Sequence, residues 1–185
     1  GGEAYFCRLR RGAWDEIAVA LPAALHAAGI REVPAPLPAR EGALSVAFGR
    51  YRLSLLPWLE ARDAYAAPLT EVQWVALGAA VRAIHDAVLP DALVATIPTE
   101  TYPARWRERL ATIVAGLEDV VLTDALAAQA VDGLRAHRGE IEALLARTEA
   151  LAAYASAAGR PVAICHTDLH AGNVLVGAGG RLHIV

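Results

Sequence analysis

Apolar residues in the first third of the chain follow two different spacings. Short runs rich in apolar and β-branched residues predict strands at 4–9, 43–48 and 51–56. Gly49-Arg50 separates the last two runs and is typical of a hairpin turn. These patterns predict a small antiparallel sheet.

A helix is predicted between the first two strands. Apolar residues recur every three or four positions from Trp14 to Ala28. Pro22 should kink this helix or restart it, and Gly29 is a suitable C-terminal stop. The Pro-rich segment 32–40 that follows is expected to be extended.

The middle of the chain changes to helical patterns. Thr70 and Gln73 have the spacing of a capping box, and Pro103 suits a first helical turn. Two more helices are predicted at 123–136 and 139–158. The expected inner faces of the first two helices are Trp74, Leu77, Val81, Ile84 and Val88, and then Trp106, Leu110 and Ile113.

Extended structure returns at the end of the chain. Segment 161–165 predicts a short buried strand, and 173–177 with 181–185 predicts a hairpin around Ala178-Gly179-Gly180. The polar stretch between them is therefore expected to be a loop held between strands.

Composition excludes several classes of protein. With 185 residues, 56% of them hydrophobic, the chain can bury a core. A net charge of −3 gives no basic footprint for nucleic acid. No apolar run reaches the length of about 18 residues that suits a membrane span, and no leader pattern is present, so we expect a cytoplasmic protein without membrane contact. Cys7 and Cys165 lie in apolar runs and are expected to be buried thiols.

The ends and the basic residues of the chain are unusual. It starts at Gly1-Gly2, contains no Met, and stops at Val185 inside an apolar pattern, so we expect a piece of a longer protein trimmed at both ends. All 17 basic residues are Arg, which together with the abundant Ala indicates a GC-rich coding bias.

The stretch from His166 to Asn173 carries the clearest chemistry. Asp168 and Asn173 are five positions apart, and Gly172 relaxes the backbone before Asn173. Phosphoryl transfer needs a carboxylate to orient the attacking hydroxyl and an oxygen ligand for magnesium. Asp168 suits the first task and the Asn173 carboxamide suits the second.

Two other interpretations of this stretch compete with phosphoryl transfer. His166, Asp168 and His170 alternate, so on an extended chain they would share one face and could bind zinc or iron. That hypothesis leaves Asn173 unexplained and finds no fourth ligand nearby. A polar turn without chemistry is the remaining alternative.

The segment 165–185 resembles the catalytic loop and following hairpin of the aminoglycoside phosphotransferase family, and more distantly those of choline, homoserine and protein kinases. Residues 5–12 resemble the third strand of that family's N-lobe, 14–17 the start of its regulatory helix, and 55–60 the strand and hinge before its helical lobe. Taken as a whole, the amino-acid sequence most resembles the spectinomycin-phosphotransferase-like branch of this family.

The resemblance implies an α+β fold of the two-lobe protein-kinase type, truncated. Residues 1–57 would form a partial N-lobe of strand, helix and hairpin. Residues 58–185 would form the hinge and a partial helical C-lobe, with the catalytic loop at 165–173 and the hairpin at 173–185.

The same resemblance assigns roles to the loop. Asp168 matches the catalytic base, Asn173 a magnesium ligand, and His166 a residue that supports the loop. His170 would either face the phosphates or support the loop.

Other roles fall outside the loop. Pro57, Trp58 and Leu59 match the hinge whose backbone holds adenine. Glu16, with Asp15 as the fallback, matches the helix carboxylate that pairs with the ATP-anchoring strand residue.

The chain also departs from the family pattern. Arg8 stands where the family has a Lys that pairs the α- and β-phosphates; with a different strand register, Arg10 or Arg11 would take that part. The family's glycine-rich loop would precede Gly1 and its second metal-binding Asp would follow Val185.

We therefore expect the parent protein to be an ATP- and Mg²⁺-dependent kinase of a small hydroxyl compound, such as an aminoglycoside, spectinomycin or a related metabolite. The chain itself is expected to be a poor catalyst. A nucleotide-binding pseudokinase is the alternative, and the oligomeric state is left open.

Overall fold

The computed structural model describes residues 2–120, 122–159 and 162–185. The chain divides into two compact units, one formed by residues 1–98 with 163–185 and the other by residues 99–162. The predicted catalytic loop and the N-terminal strands therefore belong to the same unit, although more than 100 residues separate them in sequence.

The first unit holds both sheets. Its elements are β1 (Tyr5–Arg11), α1 (Ile17–Ala27), β2 (Val46–Phe48), β3 (Tyr51–Pro57), β4 (Ala61–Asp63), α2 (Glu71–His85), α3 (Asp91–Val94), a 3₁₀ turn (Ala171–Asn173), β5 (Val174–Gly177), a second 3₁₀ turn (Ala178–Gly180) and β6 (Leu182–Ile184).

The first sheet confirms the predicted strands and hairpin. Its order is β1-β3-β2, and both pairings are antiparallel. Tyr5 lies opposite Pro57, and Phe48 opposite Tyr51 across the hairpin. Gly49 has φ +58°, a conformation that glycine adopts at little cost, so the turn forms where the sequence predicts it.

Helix α1 begins and ends close to its predicted limits. The carboxylate of Asp15 accepts a hydrogen bond from the amide of Ile17 at 3.1 Å, which satisfies one free donor of the first turn. The helix continues through Pro22, so the predicted restart is not seen. Gly29 has φ +100° and terminates the helix as expected.

The second sheet contains a strand that the sequence pattern did not reveal. Its order is β4-β5-β6, with Ala61 opposite Gly177 and Val174 opposite Ile184. Strand β4 has only three residues, too few for a periodic signal. The C-terminal hairpin is confirmed, although Asn173 lies in a 3₁₀ turn rather than in the strand.

The predicted strand at 161–165 and the predicted burial of the two cysteines are not found in the described residues. Pro161 lies outside the described residues, and Val162–Cys165 is not a strand, because it forms no ladder with another strand in the described structure. Cys7 and Cys165 are both exposed, since neither an edge strand such as β1 nor an irregular segment buries the thiol.

The core of the first unit lies between α1, α2 and the C-terminal hairpin. Thr70 and Gln73 form the predicted capping box. The predicted apolar stripe of α2 is partly wrong, because Trp74 is 61% exposed and Val88, which is 93% exposed, lies after the end of the helix. The buried residues that form this core are Leu25, Ile30, Val33, Leu77, Ala80, Ile84, Leu89, Val174, Leu182 and Ile184.

The second unit is helical. It contains α4 (Arg105–Gly116), a 3₁₀ turn (Leu117–Asp119), α5 (Ala125–Ala136) and α6 (Arg138–Ala157). Val114 and Leu117 are buried here, whereas the predicted inner residues of α4 are exposed, namely Trp106, Leu110 and Ile113. The buried face of α4 is therefore displaced by about one residue from the face that its apolar spacing predicts, since Val114 rather than Ile113 is buried.

Among the described residues, no helix combines the length and the apolar character that crossing a bilayer requires.

The partial burial of His183 in β6 predicts that stability depends on pH. Burial, and secondarily the charge of Arg181, lower the pKa of His183, while Glu32 acts weakly in the opposite direction. The unfolded chain then binds the proton more readily than the folded chain. We expect the free energy of unfolding to be at its full value above the ordinary pKa of 6.5 and to fall as the pH drops below it. Urea titrations at pH 7.5 and 5.0 should show that the free energy of unfolding falls more between these pH values for the wild type than for His183→Gln.

His137→Gln, which changes an exposed histidine, is the control and should lose as much unfolding free energy as the wild type. Equal losses in all three proteins would contradict this account.

Candidate active site

The loop before β5 is held by hydrogen bonds of His166. Its Nδ1 accepts from the amide of Asp168 at 3.3 Å, and its Nε2 lies 3.1 Å from the carbonyl oxygen of Val185. An accepting Nδ1 places the proton of a neutral imidazole on Nε2, which then donates to that carbonyl. His166 thus ties the start of the loop to the end of β6, which is consistent with a supporting role.

Thr167 carries backbone strain beside the candidate base. Its φ is +66°, in the left-handed region that β-branched residues rarely adopt. Its hydroxyl donates to the carbonyl of His166 at 2.7 Å. The turn directs the chain toward Asp168, and strain of this kind is often concentrated at functional sites.

Asp168 and Asn173 meet, as their spacing predicts. The Nδ2 of Asn173 donates to the backbone carbonyl of Asp168 at 2.9 Å and approaches its carboxylate Oδ2 at 3.4 Å. The Asp168 side chain is 77% exposed, so its carboxylate is accessible from solvent. The pair therefore presents a carboxylate whose position is fixed by its own loop.

His170 is held mainly from within the loop. Its Nδ1 accepts from the amide of Gly172 at 3.0 Å, and its Nε2 lies 3.9 Å from Oδ1 of Asp168. A Cβ at Gly172 would stand 2.8 Å from the His170 ring, so glycine allows this close approach. Tyr65, in the turn after β4, places its ring centroid 6.3 Å from that of His170.

The geometry does not favour the metal hypothesis. The Nδ1 atoms of His166 and His170 both accept from backbone amides, and the Nε2 of His166 faces a carbonyl oxygen. No group of three or more His, Cys, Asp or Glu side chains is arranged to hold a metal ion in the part of the chain that the structure describes.

A cavity of about 510 Å³ brings the predicted hinge and the loop together. The hinge residues Pro57, Trp58 and Leu59 line it, together with Arg8 of β1 and Asn173. Its size lies within the range of about 300–1,000 Å³ that is typical of small-molecule sites. The remaining lining residues are apolar, namely Phe6, Pro34, Leu56, Ala61, Leu175 and Val185.

A second cavity, of about 230 Å³, adjoins the first and lies against α1. Arg8, Leu56 and Val185 line both cavities, and His166 lines the second one. Arg8 is the single half-buried residue of β1, and its side chain forms no hydrogen bond or ion pair with any described residue. An unpaired, half-buried guanidinium beside two cavities is suited to an anionic ligand.

The expected pairing of Glu16 with Arg8 is not what the structure shows. Glu16 accepts from Trp14 Nε1 at 2.6 Å, from Ser45 Oγ at 3.2 Å and from an Arg52 NH₂ group at 3.2 Å. The hydrogen bonds lower the pKa of Glu16, and the bond from Trp14 has the largest effect. Partial desolvation acts in the opposite direction but does not outweigh them. Glu16 therefore contacts Arg52 of β3, the residue opposite Arg10 of β1, rather than Arg8.

The chain matches the phosphotransferase enzyme family (APH) over residues 4–184. It belongs to this phosphotransferase enzyme family. No curated protein sequence matches the chain.

Two solved structures of spectinomycin phosphotransferase APH(9)-Ia are similar to it. The complex with ADP and spectinomycin has 28% sequence identity and a TM-score of 0.86, covering 99% of this chain and 56% of that one. The AMP-bound complex has 28% identity and a TM-score of 0.85, covering 99% of this chain and 58% of that one. The chain thus spans less than two thirds of these proteins, and its α+β fold is the kinase-like fold of the family.

Sequence reasoning missed several residues of this region. Arg52, Ser45 and Tyr65 contact predicted site residues, and the backbone of Val185 anchors His166. Arg52 alternates with apolar residues along β3, a pattern that by itself predicts a solvent-facing side chain rather than a contact with Glu16. Ser45 and Tyr65 lie in irregular segments and give no such signal.

Strain at Thr167 predicts that glycine stabilises the protein more than alanine at this position, the reverse of the order expected in a helix. Glycine tolerates a φ of +66°, whereas alanine does not, so we expect Thr167→Gly to be more stable than Thr167→Ala by about 1 kcal/mol. Urea unfolding of both variants measures this difference. Thr112 in α4 is a matched control, because its hydroxyl also donates to a backbone carbonyl. There the alanine variant should be the more stable by about 1 kcal/mol. The same order at both positions would show that the turn at Thr167 is not strained.

Proposed function

We propose that the protein transfers the γ-phosphate of ATP to a hydroxyl group of a small molecule. The observation that carries this proposal is a cavity lined at once by the predicted hinge, by Arg8 and by Asn173. A nucleotide needs an apolar slot for its base and a cation for its phosphates, with a metal ligand beyond them. Membership of the phosphotransferase family and the ADP and AMP bound in similar structures support the same conclusion.

The residues of the cavity suit the parts of a nucleotide in order. Pro57, Trp58 and Leu59 would receive adenine, and the apolar side chains of Phe6 and Leu56 would contact its faces. Arg8 would contact the phosphates. Its planar, forked guanidinium can bond two phosphate oxygens through two parallel N–H groups, a fixed geometry that the ammonium of a lysine does not impose.

The donor set at Asn173 fits a magnesium ion. The Nδ2 of Asn173 donates to Asp168, whereas its carboxamide oxygen has no partner among the described residues. The Asn173 side chain also lines the cavity, so this oxygen is free to bind a metal ion there. Magnesium takes oxygen ligands and commonly combines one or two protein groups with substrate phosphates. A bound ion would neutralise charge on the phosphates.

Asp168 would act on the acceptor. Its exposed carboxylate takes the proton of the attacking hydroxyl as the new O–P bond forms and the bond from the γ-phosphorus to the bridging oxygen breaks, leaving ADP. His166 keeps the backbone of Asp168 in place, and Asn173 holds both its carbonyl and its carboxylate. The acceptor class, an aminoglycoside- or spectinomycin-like alcohol, is supported by the spectinomycin bound in a similar structure.

A nucleotide-binding protein without turnover is the second candidate. The observation that favours it is Arg8 in the strand position where the resemblance places a lysine. ADP binding in the absence of phosphate transfer would distinguish this candidate from the first.

Asp168→Asn tests the proposed base. With the complete open reading frame that encodes this chain, and spectinomycin among a panel of hydroxyl compounds, we expect turnover to fall by about 10²- to 10⁴-fold. ADP affinity should stay within about twofold, because Asp168 is not among the residues of the cavity. Coupled ADP-release and fluorescence titration measure the two quantities. Asp119→Asn, on an exposed carboxylate of the second unit, is the matched control. Unchanged turnover in Asp168→Asn would remove Asp168 from the mechanism.

Arg8→Gln tests the proposed phosphate contact. Loss of a charged hydrogen bond should weaken Mg²⁺-ADP binding by about tenfold and adenosine binding much less. Arg11→Gln removes the same charge from an exposed position at the end of the same strand, outside both cavities, and should leave both affinities unchanged. Equal losses for ADP and adenosine would contradict a contact with the phosphates.

A further inference from the structure

We propose that Tyr65 is a specificity-determining residue, whose ring supports the acceptor beside Asp168 and selects alcohols carried on a saturated ring. The inference rests on the proposed function, because it takes Asp168 as the group that receives the acceptor hydroxyl. It assigns a role to a side chain that lies outside the catalytic loop and outside the cavity proposed for the nucleotide.

The turn that carries Tyr65 is fastened to the catalytic loop by backbone hydrogen bonds. The amide of Ala64 donates to the carbonyls of Ala171 and Val174, both at 2.9 Å. Asp63, the last residue of β4, closes the turn through its carboxylate, which accepts a backbone hydrogen bond from within the turn at 2.9 Å. The backbone of Tyr65 is therefore fixed relative to the loop, although the two segments are distant in sequence.

The ring of Tyr65 lies against the end of the loop. Its centroid is 6.3 Å from that of His170, and the two ring planes are inclined by 34°. A Cβ at Gly172 would stand 3.4 Å from the Tyr65 ring and 2.8 Å from the His170 ring, so both rings lie close to this backbone position. Tyr65 and His170 thus form a continuous strip, which we call the aromatic shelf.

The aromatic shelf leads directly to the proposed base. The Nε2 of His170 lies 3.9 Å from Oδ1 of Asp168. Its Nδ1 accepts from the amide of Gly172, so a neutral imidazole carries its proton on Nε2, the nitrogen that faces the carboxylate. A molecule that rests on the ring of Tyr65 is therefore separated from Asp168 by the width of one side chain.

Alternate residues of the loop face opposite sides. Thr167 and Leu169 line a cavity of about 240 Å³ against α2. Asp168 and His170 line neither this cavity nor the two described above. An acceptor that reaches the carboxylate therefore approaches from the open side of the loop, where the aromatic shelf lies.

The ring of Tyr65 is available to a ligand. It is 71% exposed, and its hydroxyl has no hydrogen-bond partner among the described residues. Tyr65 also lies outside the two cavities that share Arg8, whereas Asn173, which follows Gly172, lines the larger of them. The ring is thus placed next to the loop of Asp168 and outside the space assigned to adenine and the phosphates.

The shape of the aromatic shelf favours a ring-shaped acceptor. An aromatic side chain offers a large apolar face and loses little conformational entropy on binding, and a tyrosine adds a polar tip. The C–H face of a saturated ring covers such a surface and leaves its hydroxyls at the rim, toward Asp168. A linear alcohol covers less of the surface and loses more conformational freedom when it binds. We therefore expect cyclic alcohols to be preferred as acceptors.

Tyr65→Ala tests the shelf in the complete protein, with spectinomycin as the probe. We expect KM for spectinomycin to rise by about tenfold, because the apolar support is lost. The value of kcat should change by less than about threefold, since Asp168 and its loop are retained. The affinity for Mg²⁺-ADP should stay within about twofold. Steady-state ADP release and isothermal titration calorimetry measure these quantities.

Two further variants make the result specific to the ring. Tyr65→Phe keeps the ring and should raise KM for spectinomycin by less than about twofold. Tyr51→Ala removes a tyrosine at the end of β3 far from the hinge, outside both cavities, and should leave this KM unchanged. A fall in kcat with unchanged KM in Tyr65→Ala would show that Tyr65 only positions the loop. Equal losses of ADP and adenosine affinity would place Tyr65 at the nucleotide, and either result overturns the inference.

Equilibrium binding separates this inference from the proposed function. Spectinomycin and myo-inositol present their hydroxyls on rings, whereas mannitol carries as many hydroxyls as myo-inositol on a linear chain. Binding of the ring compounds that depends on Tyr65, without any phosphate transfer, would defeat the proposed function alone. The inference is overturned, whatever the turnover, if mannitol binds as tightly as myo-inositol, if neither ring compound binds the wild type, or if Tyr65→Ala binds them equally well.

Discussion

The candidate site depends on the way in which Asn173 closes the loop. Its side-chain amide holds the carbonyl of Asp168, its backbone amide donates to the carbonyl of His170, and its carbonyl accepts from the amide of Val185. One residue therefore satisfies polar groups at the middle of the loop, at its end and on the neighbouring strand. Three hydrogen bonds from one residue restrict the loop to a narrower range of conformations than any one of them alone. The carboxylate of Asp168 inherits its position from them.

The same residue connects the loop to the segment after the hinge. Strand β5 begins directly after Asn173 and pairs with β4, which follows Leu59 after one residue. The amide of Ala64 also donates to the carbonyls of Ala171 and Val174, both at 2.9 Å. The two sides of the large cavity are thus joined by backbone hydrogen bonds rather than by side chains alone. Their separation is set by a ladder, which is stiffer than a loop contact.

The parts of this structure that sequence predicts are those with a local cause. The hairpin at Gly49, the capping box at Thr70 and the contact of Asp168 with Asn173 each depend on residues a few positions apart. The sequence could not reveal β4, since three residues give no period and the strand forms only because β5 offers an edge. The partner of Glu16 likewise depends on the register between β1 and β3, which no local pattern determines. The exposure of Trp74 shows the limit of apolar spacing, which identifies a helix but does not fix its orientation.

Arginine at position 8 has a consequence for chemical labelling of the site. The chain contains no lysine, so reagents that acylate a lysine amine beside a bound nucleotide have no side-chain target in it. Dicarbonyl reagents that condense with guanidinium groups would instead reach Arg8 through the cavity, and a bound nucleotide would shield it from them.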